Sequence, residues 1–67
     1  MKEMLLIEEI EDDGLMHVVV KHYDNNRNDF VHDTHHSVYG LTKNEADSYI
    51  EFLRGCFDIV FGKSISI

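Results

Sequence analysis

The dipeptide Asp13-Gly14, set between the apolar-rich runs Leu5–Ile10 and Leu15–Tyr23, constrains this chain more than any other feature. A two-residue type I′ turn needs positive φ at both central positions. Asp-Gly tolerates that, and the twist of such a turn matches that of paired strands. In the second run, Val18-Val19-Val20 is stiff at χ1 and favours strand over helix. In the first, Met4, Ile7 and Ile10 also sit at helical spacing, but the turn and the valine-rich neighbour supply a pairing partner. A β-hairpin is predicted here.

Asp24-Asn25-Asn26-Arg27-Asn28-Asp29 is a polar loop whose residues make local turn hydrogen bonds and tolerate left-handed backbone. Phe30–Tyr39 follows as a third strand. Thr42-Lys43-Asn44-Glu45 matches a capping box, with Leu41 and Ala46 at the positions of a hydrophobic staple. Ala46, Tyr49, Ile50 and Leu53 then recur at i, i+3, i+4, i+7, and Gly55 suits a C′ stop, so a helix is predicted from Lys43 to Arg54. Cys56–Ile67 alternates and reads as a last strand, broken near Gly62. The expected fold class is α+β, in the order β-β-β-α-β. It is an antiparallel meander plus a fourth strand lying parallel beside the first, with one helix packed on one sheet face. The opposite face then has no second layer, and Tyr39, Phe57 and Phe61 are candidates to occupy it.

At 67 residues the chain holds one domain, residues 1–67. A chain of this size buries about 60% of its unfolded surface and usually relies on a staple or a partner. Disulfides are not the staple, since Cys56 is the only cysteine, and a lone cysteine points to a reducing, cytoplasmic setting. The segment after Met1 offers four apolar residues and then acids, too few for a signal or a membrane span. Thirteen acidic residues against six basic ones give a net charge of −7. That balance argues against direct nucleic-acid binding and against anionic membranes.

Two constellations could carry chemistry. All five histidines lie between His17 and His36. If Met16 faces Val38 across strands 2 and 3, His22 faces His32 and His36 shares their side. A one-residue slip instead sets His17 against His36, with His32 on the same face. In either register Asp33 is nearby, and His22, His32 and His36 are the candidate metal ligands. The plainer reading is a set of solvent-facing histidines, and a pH-responsive interface is a third. The run Glu8-Glu9-Ile10-Glu11-Asp12-Asp13 collects five carboxylates, and Asp47 and Glu51 are like-charged i, i+4 neighbours on the helix, partly offset by Lys43 and Arg54. Such acids either keep a small protein soluble or meet a basic cleft. Cys56 lies at the negative end of the helix dipole and is expected as a core or interface residue rather than a nucleophile. No Gly-rich phosphate cradle, cofactor motif or enzymatic constellation is present.

The expected function is therefore a non-catalytic, acidic protein–protein interaction module. A small regulator or inhibitor that mimics nucleic-acid charge on a basic target suits these features best, and small acidic inhibitors made by phages share this size and balance. The candidate partner-binding residues are Glu8, Glu9, Glu11, Asp12, Asp13 and Glu45, with Phe52 as an apolar anchor at the edge of an acidic helix face. The alternatives are a homo-oligomer, a dimer above all, that buries the spare sheet face, and a histidine-based metal binder or pH sensor.

Overall fold

A computed structural model describes residues 2–67. Its elements are β1 (Met4–Asp12), β2 (Leu15–Asp24), β3 (Asp29–His32), β4 (Val38–Leu41), α1 (Lys43–Cys56) and β5 (Asp58–Ser66). The hairpin turn is as expected: Asp13 and Gly14 take φ of 52° and 80°, and Asp12 pairs with Leu15 across it. β5 lies parallel beside β1, and the mixed sheet runs β3-β2-β1-β5, with β4 on the same edge of β2 as β3. The chain is α+β, and the helix packs on one face of this sheet.

Alternation sorts the strands' side chains. Leu5 and Ile7 of β1 and Met16, Val18 and Val20 of β2 turn toward α1, where they bury Ala46, Ile50 and Leu53. Leu5, Ile7, Val18, Val20 and Leu53 are its largest fully buried side chains, and with Met16, Ala46 and Ile50 they form the core. Thr42 closes the helix N-terminus as predicted. Its Oγ1 accepts from Glu45 N at 3.2 Å, and its own N–H donates to Glu45 Oε1 at 2.9 Å.

The structure corrects the expectation in four places. The third strand is not continuous over Phe30–Tyr39: Asp33–Ser37 leaves the sheet as a turn between β3 and β4. The gap costs β2 no hydrogen bonds, because Val20 N donates to Ser37 Oγ (2.9 Å) and Val20 O accepts from Asp33 N (2.8 Å). Neither expected register holds, for Met16 pairs with Leu41 and His22 with Val31. The helix runs two residues further, to Cys56, and Gly55 lies within it. Phe57 N–H bonds Leu53 O at 2.8 Å in an extended conformation, so the chain enters β5 directly and needs no left-handed exit. Lastly, β5 is not broken at Gly62. It absorbs a bulge there, with Ile7 opposite Phe61 and Glu9 opposite Ser64.

Candidate partner-binding surfaces

The histidines are distributed by the interrupted strand rather than gathered by it. Asp33 is buried, and its carboxylate anchors the turn: Oδ1 accepts from His35 N (3.0 Å) and His36 N (3.1 Å). Its Oδ2 meets His36 Nδ1 at 2.7 Å and His22 Nδ1 at 3.4 Å. Burial alone would raise the Asp33 pKa, but the hydrogen bonds from the His36 ring, the His36 and His35 amides and the His36 charge outweigh it and hold the carboxyl below its ordinary value of 3.8. The node also reaches the helix, since Tyr49 OH donates to His36 O at 2.6 Å. Burial first, and the Asp33 charge second, push the Tyr49 phenol above its ordinary range. Of the three candidate ligands, His22 and His36 thus share Asp33, while His32 stands on the other sheet face with Nε2 3.2 Å from Ser37 Oγ and 3.3 Å from Tyr39 OH. Among the described residues no group of three His, Cys, Asp or Glu side chains is placed to hold a metal ion. His17 is fixed separately, its Nδ1 accepting from Gly40 N at 2.9 Å.

The acidic run is split by the pleat of β1. Glu8 and Asp12 project from the face away from the helix, where Glu8 meets Lys21 Nζ at 3.0 Å and Asp12 lies 3.7 Å from His17 Nε2. Glu9 and Glu11 project on the helix side, Glu11 accepting from Ser66 Oγ at 2.8 Å. Asp13 occupies the turn, and Glu45 is engaged in the capping box, where the Thr42 backbone N–H first and its side chain second hold its carboxyl below its ordinary 4.5. These six acids therefore do not form a single patch, because β-alternation sends neighbours to opposite faces. Phe52 is 62% exposed and stacks on Tyr49 with ring centroids 6.3 Å apart.

The helix brings a different set of acids together. α1 crosses the sheet so that one flank, carrying Asp47, Glu51 and Arg54, overhangs β1 and β5. Between them lies a groove of about 250 Å³ lined also by Glu9, Ile50 and Phe61. Arg54 is held over the Phe61 ring, 5.0 Å from its centroid. A second depression of about 320 Å³ is lined by Glu11, Lys43 and Ser64 among others. Asp47 and Glu51 were visible in the sequence only as a like-charged helical pair; their meeting with Glu9 depends on where the helix lies.

Among the described residues the face away from the helix carries no layer, as expected, but its occupants differ in part. Tyr39 is on it and 55% exposed, whereas Phe57 and Phe61 lie on the helix side, Phe57 against the His36 ring at 5.2 Å. Cys56 is exposed at the end of α1 and is not part of the core. Among the described residues no helix is long and apolar enough to cross a membrane. Searches with this chain match no family model, no curated protein and no solved structure.

Proposed function

We propose that this chain is a non-catalytic, cytoplasmic protein-binding module, a small inhibitor or regulator that offers carboxylates to a basic, nucleic-acid-binding protein. The observation that carries this reading is the helix-side groove. Glu9, Asp47 and Glu51 border it from two different elements, and Phe61 and Ile50 supply apolar floor. Such a rim of like charge around an apolar centre attracts a basic partner from a distance and then gives it something to bury. Arg54 is the one basic side chain lining this groove and lies over Phe61; Asp47 is 3.5 Å from Lys43 Nζ on the exposed helix surface, while Glu9 and Glu51 have no ion-pair partner among the described residues. A net charge of −7 extends the same field over the molecule.

The test is capture from a lysate with the tagged chain and with its E9Q/D47N/E51Q variant, washed at low and at high salt. A basic protein retained by the parent at low salt should be lost at high salt and captured poorly by the variant. With the partner purified, the association rate of the variant should fall about 10-fold or more at low salt. Equal capture by parent and variant would sink the proposal.

A further inference from the structure

Three observations converge on the sheet face opposite the helix. First, Leu5-Leu6-Ile7 and Val18-Val19-Val20 are apolar at every position, the pattern of strands covered on both sides rather than one. Leu6, Val19 and Ile10 are only half-buried, and Tyr39, Val60 and Ile65 are 55%, 42% and 48% exposed on the same face. Second, the size is right. Four strand positions at about 4.8 Å spacing and about nine residues at 3.3 Å each give on the order of 570 Å² in projection, before side-chain relief. A standard interface takes about 800 Å² of accessible surface from each partner, out of the 4706 Å² this chain exposes.

Third, the charge pattern names the occupant. On a chain of −7, this face holds Glu8 and Lys21 against each other near its centre, with Asp12 and Asp58 at strand ends and the imidazoles of His17 and His32 beside Tyr39. A basic partner finds no excess of carboxylate here, and an acidic one no excess of amine. An acid and a base side by side form a self-complementary pattern: a two-fold axis sets each Lys21 against the second copy's Glu8. Two copies repel each other least when they meet on this balanced face. We propose that a second copy of this chain covers it, forming an isologous dimer in which apolar area supplies the affinity and crossed Glu8–Lys21 pairs set the register. The helix-side groove stays outside this contact, so the inference does not depend on the proposed basic partner.

The experiment is sedimentation equilibrium of the full chain over a micromolar-to-millimolar series, with circular dichroism to verify folding. The parent should reach twice 7.8 kDa. E8K and K21E each place like charges at the centre of the contact and should raise the dimer dissociation constant by about 30-fold or more. Mixed in equal amounts, the E8K and K21E chains should recover a heterodimer, which a purely intrachain role for the pair cannot produce. Should either fail to fold, V60K, on an exposed site of the same face, is expected to give a monomer. A parent that stays at 7.8 kDa throughout overturns the proposal. So does a dimer indifferent to all three substitutions, which would assign association to the free edge of β5, and so does a mixture of E8K and K21E that stays monomeric.

Discussion

Val18 and Val19 are identical side chains one residue apart on β2, yet Val18 is fully buried and Val19 is only half so. The difference lies in what stands above each face of the sheet. Over Val18 sits α1, and the covered face closes around Leu5, Ile7, Val20 and Leu53, each at 1% exposure or less. Over Val19 there is no other element of this chain among the described residues. Apolar composition in these strands thus exceeds what one helix can cover. The surplus is placed where charge is balanced, while the unbalanced carboxylates are displaced to the groove beside the helix.

The largest effect expected from this contrast is a gap between equivalent truncations on the two faces. Leu53→Ala opens a cavity in the closed face and should cost about 3 kcal/mol, a large part of the roughly 3–10 kcal/mol expected for a domain of this size. Val19→Ala on the open face should cost the monomer under about 1 kcal/mol, and should instead weaken self-association. Urea unfolding of both variants, at low protein concentration, measures the difference. Equal losses would show that the open face is packed as firmly as the covered one.

Next comes Asp33, which joins the interrupted strand to both layers. Asp33→Asn keeps an acceptor for the His35 and His36 amides but removes the charge that faces the His36 and His22 rings, and should cost about 2 kcal/mol near neutral pH. The sign with pH follows from the depressed folded pKa. The contribution of the carboxylate is complete above its unfolded value near 3.8 and is lost as pH falls through the lower folded one. The stability difference between parent and variant should therefore narrow in acid. A difference independent of pH between neutral and strongly acid solution would assign the loss to packing instead.

Much of the fold is legible from local signals. Asp13-Gly14 requires its turn, Thr42 to Glu45 its cap, and the Ala46–Leu53 stripe its helix, because each rests on residues within one turn of each other. The gap in the third strand is not legible that way. Phe30, Val31, Val38 and Tyr39 read as the ends of one strand, and what makes the gap tolerable is Ser37 serving Val20, 17 residues away. The candidate site divides along the same line. Alternation in β1 suffices to separate Glu8 from Glu9 once the strand is granted. The groove that unites Glu9 with Asp47 and Glu51 depends on the crossing of helix over sheet, which no local pattern specifies.

Thr42→Ala removes one of the two reciprocal hydrogen bonds at the start of α1 and should destabilise the protein by about 1 kcal/mol. An NMR titration should show the Glu45 carboxyl moving back toward 4.5 as that partner is lost, with the Asp33 titration unchanged. The covered face depends on this cap to hold the helix, whereas the open face should register it only through the overall loss of stability.

The smallest effect tests how the centre of the open face is built. At Gly62 an added Cβ would lie 3.0 Å from Glu8 Cγ and 3.3 Å from Leu6 Cδ1, so the bare backbone of the β5 bulge is what lets Glu8 lie flat and reach Lys21. Gly62→Ala should displace Glu8 and cost about 1 kcal/mol or less. Placed on a Glu8→Ala background, the same substitution should cost almost nothing, because the side chain it strikes is gone. Equal costs in both backgrounds would mean that Leu6 or the bulge itself resists the methyl group. A cost that vanishes with Glu8 would tie the glycine to the Glu8–Lys21 pair at the middle of this face. The same change should weaken self-association even where it barely moves the unfolding curve.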